Sequence, residues 1–262
     1  MTSREAYRKA VEVQKRLPEL EHIIMQDAYL SMCYAINVIK GRWLDAESFI
    51  IQDAYYAYFY ARDILKERWP DAEPIIMQDA EYAYWYAKDV IKRRWAEAEP
   101  IISQDAKYAY FYSLHIIRGR WAEAEPLIMQ NAVWSYSYAK DVIKGRWVEA
   151  EQIIMKNAEC ACNYAQYIMK GRWTEAEPII VTDAYSACLY AMFGIKKRWH
   201  DAEERIFKSK YYKTYIAFFF DEPVMTKKEV GPFVWSQFDL PGYFAPASLF
   251  ENKISLLDMM TG

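Results

Sequence analysis

Glycine is scarce, 8 residues in 262, and no G-x-x-x-x-G-K or G-x-S-x-G pattern occurs. Phosphate-cradling loops and nucleophile elbows need such glycines, so those chemistries are not expected. Four cysteines do not make a disulfide framework, which points to a reducing compartment. The three histidines, His22, His115 and His200, are far apart in sequence, so no metal and no cofactor is expected. No apolar run approaches the roughly 18 residues of a membrane span. The opening stretch MTSREAYRKAVEVQKR has no apolar segment of a secretory signal. A net charge of −3 supplies no global field toward nucleic acid or an acidic membrane.

Aromatic residues, by contrast, are abundant: 23 Tyr and 10 Trp. That excludes a disordered chain. The tryptophans are also in register. Trp43, Trp69, Trp95, Trp121, Trp147, Trp173 and Trp199 follow one another at 26-residue intervals. Each follows an Arg, and a Glu stands four residues later, as in Arg42, Trp43 and Glu47. Full units begin at 17, 43, 69, 95, 121, 147 and 173, with Leu17 in the first Trp place; a degraded unit begins at Trp199.

The unit predicts two short helices. The first carries EAEPIIMQ, with Pro74, Pro100, Pro126 and Pro178 near its first turn. Asp53, Asp79, Asp105, Asn131, Asn157 and Asp183 then suit the N-cap of the second helix. Gly41, Gly119, Gly145 and Gly171 fall where a C-terminal cap belongs. On a helical wheel Tyr56, Ala57, Tyr60, Ala61 and Ile64 share one face. The equivalents of Tyr60 are Tyr34, Tyr86, Tyr112, Tyr138, Tyr164 and Tyr190. A tyrosine at the same place in each unit predicts a core ring whose hydroxyl finds one recurrent acceptor. One unit is too small to bury this surface alone. The expected fold is therefore an all-α solenoid of about eight two-helix repeats. Residues 1–16 read as a capping helix, 17–220 as the repeats, and 221–262 as a non-repeat tail that caps the stack or docks a partner. The tail carries turn signals, and an extended piece near 233–238 and a last helix near 248–259 are expected in it.

The other side of the second helix offers a candidate binding strip: Tyr58, Tyr84, Tyr110 and Tyr136, flanked by Phe59, Trp85 and Phe111. Basic residues edge it: Arg62, Lys66, Lys88, Lys92, Arg118, Lys140 and Lys144. Such a strip can stack bases or hold a peptide. The competing reading is lateral packing between adjacent helices, with Lys and Arg as a solvated face. The strip fades where its tyrosine becomes Cys162 and Cys188. Those two and Cys160 read as small apolar replacements, not a thiolate cluster. The recurrent Arg is expected to pair with a nearby carboxylate and to stack on a Trp. His115 stands where other units carry an Asp.

The phrase RWPDAEPIIMQDAEYAYWYAKDVIKRRW (68–95) resembles a family of helical-repeat proteins encoded by tailed bacteriophages. The resemblance covers about residues 17–205. The family's second helix starts at Asp-Pro where this chain has Asp-Ala, a departure that loosens the turn. The resemblance implies an origin and a fold, with the host cytoplasm or the virion as the place of action, and carries no activity with it. With no catalytic constellation in the repeats, the expectation is a non-enzymatic interaction or scaffold protein. Its partner would be a host or virion protein, held along the solenoid or through the tail. The alternative is single-stranded nucleic acid or a nucleotide on the strip. An enzyme pocket using Asp221, Glu222 and His200 is the third reading.

Overall fold

Proline decides how the first helix of each repeat begins. A computed structural model describes residues 1–220; the expected tail, with Asp221 and Glu222, lies outside the described residues. Where the fifth residue after the Trp is Ser48, Gln152 or Glu204, the first helix is continuous: Leu44–Ile50, Val148–Ile154 and His200–Phe207. Where it is proline, the α-helix shrinks to Glu73–Ile76, Glu99–Ile102, Glu125–Ile128 and Glu177–Ile180. A tight 3₁₀ turn, Pro70–Ala72 or Thr174–Ala176, precedes it in two of these repeats. Proline has no N–H to close the first α-helical bond, so the opening turn tightens.

The second helix starts on its expected cap. Asp53 accepts from the backbone N–H of Tyr55 and Tyr56 at 2.8 and 3.4 Å. Asp79, Asp105 and Asn131 do the same. Each cap satisfies donors that the helix cannot satisfy itself. The far end differs from expectation. The helix Ala54–Tyr60 runs into a wider π turn, Ala61–Leu65, closed by the Lys66 N–H donating to the Ala61 carbonyl at 2.7 Å. The left-handed residue is the one that makes this bond: Lys40, Lys66, Lys92, Arg118, Lys144, Lys170 and Lys196, with φ between 54° and 60°. The glycines Gly41, Gly119, Gly145 and Gly171 stand one residue too late. They donate instead to the carbonyl six residues back, as Gly41 does to Ala35 at 3.2 Å.

A left-handed conformation costs an ordinary L-residue roughly 1–2 kcal/mol. Part of that returns through the attraction of a cation to the helix C-terminus. We expect Lys66→Gly to raise the stability to urea by about 0.5 kcal/mol, glycine's own unfolded-state entropy offsetting the rest. A lower urea midpoint for the variant would show that the lysine side chain contributes more than its backbone costs.

The described helices form an all-α solenoid of stacked pairs, grouped into two compact units that divide after Trp147. In the unit Met1–Trp147, the helix Ser3–Val13 packs on Pro18–Ile24 and Ala28–Tyr34 and closes the first repeat. After it, each second helix packs on those of the neighbouring repeats. In the unit from Val148 the same pairing continues to Tyr212–Phe220. Ile24, Ile50, Ile76, Ile102 and Ile128 are fully buried in the first unit, and Ile154, Ile180 and Ile206 in the second. Ala57 and Ala61 are fully buried too, which lets neighbouring helices approach closely.

One tyrosine ties each repeat to itself and to the next. The Tyr60 hydroxyl accepts from the Trp43 backbone N–H at 2.7 Å and donates to Glu47 Oε1 at 3.3 Å. Arg42 holds the same carboxylate through two bonds at 2.7 and 2.9 Å. The Tyr60 ring lies 5.1 Å from Trp69 of the following repeat. Tyr86, Tyr112 and Tyr190 repeat the arrangement on Glu73, Glu99 and Glu177. The expected recurrent acceptor is thus the unit's own Glu. The Arg pairs as expected, but the ring beside each Trp is this tyrosine. The indole N–H groups of Trp43, Trp69 and Trp199 are buried and find no acceptor among the described residues.

Candidate interaction surface

The strip is divided between core and surface. Tyr58, Tyr84 and Tyr110 are buried, at 3%, 1% and 6% exposure. Their hydroxyls reach into the next repeat: Tyr58 donates to Asp89 and Tyr110 to Asp141, each at 2.7 Å. Tyr84 bonds His115 Nδ1 at 2.7 Å, so the histidine keeps the ladder where the Asp is missing. Burial and the neighbouring Asp89 push the Tyr58 hydroxyl up to about 12. Phe59, Trp85, Phe111 and Tyr136 are half-buried. The structure brings Tyr84 against Trp85 and Phe111, at 4.9 and 5.9 Å between ring centres. The expected lateral packing is therefore present, and an open groove lined by all seven rings is not.

The basic edge is engaged locally. Arg62 grips Asp63 at 2.6 and 2.7 Å, donates to the Tyr58 hydroxyl, and lies 4.4 Å over Phe59. Lys88 sits 4.5 Å over Trp85. Lys66, Lys92 and Lys144 are exposed and occupy the left-handed caps, while Lys140 is exposed on its π turn. His115 is held below its ordinary range by burial and by Lys88, and its ring stacks on Phe111 at 5.9 Å.

A second set of rings, in which the sequence pointed to Phe59 but not to Tyr29, Tyr55 or Tyr82, is more accessible. Tyr29 and Tyr55 are 51% and 39% exposed. They stand two residues after the caps Asp27 and Asp53. Tyr29 lies 6.2 Å from Tyr56. Tyr55 lies 5.1 Å from Tyr56, 4.5 Å from Phe59 and 5.8 Å from Tyr82. The patch spans three repeats in the first unit and ends on the Arg62 guanidinium. Its other sequence signal was the doubled aromatic of Tyr55-Tyr56 directly after a cap.

Burial pushes the Cys160 thiol up to about 11, and those of Cys162 and Cys188 up to about 12, so they stay protonated. No group of three His, Cys, Asp or Glu converges as metal ligands would among the described residues. His200 pairs with Glu203 at 3.2 Å. Glu99 and Glu125 are held below the usual carboxylate range, chiefly by hydrogen bonds from Arg94 and Arg120. No described helix is long and apolar enough to cross a membrane. Comparison with protein-family models, curated proteins and solved structures gives no match.

Proposed function

We propose that the chain is a non-enzymatic interaction scaffold that docks a protein on the aromatic patch of its first unit. The resemblance to phage repeat proteins makes a host or virion protein the partner. One observation carries the reading: Tyr29, Tyr55, Tyr56, Phe59 and Tyr82 form a contiguous, partly exposed cluster beside an arginine. Tyrosine and arginine dominate the residues that hold protein interfaces together. The repeat's own Glu and Arg, meanwhile, are occupied in holding tyrosine hydroxyls and each other. The nucleic-acid alternative needs open ring faces for stacking. Three of its seven rings are buried between repeats.

The test is quantitative affinity enrichment from host lysate with the wild type, Tyr29→Ala/Tyr55→Ala, and a chain ending at Phe220. The exposed pair can be truncated with little effect on the fold. The expected result is a protein enriched by the wild type and reduced about tenfold or more by the double variant. Equal enrichment by both contradicts the patch, and so does loss only on truncation at Phe220.

A further inference from the structure

In the second unit the repeat opens a pocket, and its walls identify what has been removed. The pocket is lined by Glu159, Cys162, Asn163, Tyr167, Tyr185, Ser186 and Leu189. Three repeats earlier, at residues lower by 78, the same places hold Glu81, Tyr84, Trp85, Asp89, Lys107, Tyr108 and Phe111. There Tyr84 packs on Trp85, Tyr108 and Phe111 at 4.9, 6.0 and 5.9 Å between ring centres. In the second unit these four rings become a thiol, an amide, a hydroxyl and an isobutyl group. Two further losses coincide. Lys88, which covers Trp85 at 4.5 Å, is replaced by Gln166. Tyr108, whose hydroxyl accepts from the Lys107 ammonium at 3.0 Å, is replaced by Ser186, whose own hydroxyl turns to Asp183 at 2.7 Å. Glu159, the counterpart of Glu81, is exposed at the rim. The frame of the repeat persists: Asn157 caps the helix, and Ala161 and Ala165 are fully buried.

We propose that this pocket binds a small aromatic ammonium compound. Cys162 and Ser186 are closed off, so its ring takes the half-exposed space left by the missing tryptophan and phenylalanine at Asn163 and Leu189, and its cation replaces Lys88 and meets Glu159. Tyr167 and Tyr185 supply ring faces for the cation as well as apolar wall. Backbone and helix packing already exist for a ring here, because other repeats hold one in the same place. The pocket belongs to the second unit and the docking patch, within residues 29–82, to the first.

Tyramine is the probe, titrated by calorimetry and by ligand-observed NMR, with p-cresol as its neutral counterpart. The wild type is expected to bind tyramine with a Kd of about 1 mM or tighter. p-Cresol, and the exposed-site variant Glu159→Gln with tyramine, are expected to be ~3–10-fold weaker. Asn163→Trp/Leu189→Phe restores residues that other repeats carry, keeps the helical signal, and is expected to bind at least ~10-fold more weakly. If that variant does not fold, Glu159→Gln and p-cresol decide alone. No saturation with wild type at about 10 mM tyramine overturns the proposal. So does equal affinity for p-cresol, an unaffected Glu159→Gln, or undiminished binding by a folded double variant.

Discussion

Replacing Tyr86 by Phe removes a single oxygen and is expected to cost about 2–4 kcal/mol of unfolding free energy. That hydroxyl accepts from the Trp69 backbone N–H at 2.6 Å and donates to Glu73 Oε1 at 3.1 Å. Trp69 is 3% exposed, so water does not replace the acceptor. A buried donor left without a partner costs roughly 1–3 kcal/mol by itself. The Glu73 carboxylate loses a donor but remains on Arg68 at 2.8 Å, which limits the loss on that side. The ring stays, and with it the packing against Trp95 at 5.1 Å. Tyr55→Phe, at an exposed ring, is the control and should change stability by less than about 0.5 kcal/mol. Urea unfolding of both variants reads the difference. A Tyr86→Phe variant as stable as the control would mean that the hydroxyl does not hold the repeat together.

Much of this was legible in the sequence. A tyrosine fixed at one place in each full unit, an Asp or Asn ten residues after its Trp place, and a Glu always four residues after that place all describe groups with one structural job. Identical partners in every repeat are what identical stacking requires. Two features were not legible, for separate physical reasons. The left-handed cap was expected at Gly41 and its equivalents, but it falls on Lys40 and its equivalents. A wheel turned at about 100° per residue assumes α-helical bonding to the end. It stops describing the chain where bonds to the fifth residue take over. The strip failed differently. The pattern within one helix shows which side Tyr58 and Tyr84 occupy. It does not show how near the next helix comes, and that distance buried them while leaving Tyr29 and Tyr55 exposed.

The pocket was half legible. The replacement of tyrosine by Cys162 and Cys188 is visible in the sequence as a fading of the strip. Its consequence depends on Asn163, Ser186 and Leu189 losing their rings beside Cys162. Those positions belong to two successive repeats, and only stacking brings them together.

The second large effect comes from breaking the register. Removing residues 69–94 joins Arg68 to Trp95 and leaves every neighbour an equivalent partner. Arg68 then meets Glu99, the Trp95 N–H keeps the Tyr112 hydroxyl, and the Tyr60 ring lies against Trp95 as it did against Trp69. Removing only residues 69–81 deletes Trp69, Glu73 and the cap Asp79 while keeping a second helix that has no first. Its Tyr86 loses both the backbone donor and the carboxylate. Circular dichroism with urea unfolding of the two deletions is the most direct measurement. The 26-residue deletion is predicted to keep the wild-type helical signal per residue within about 10% and to unfold cooperatively. The 13-residue deletion is predicted to lose most of that signal or its cooperativity. Unfolding of the longer deletion, or survival of the shorter one intact, would contradict a stack in which each helix pair depends on its immediate neighbours.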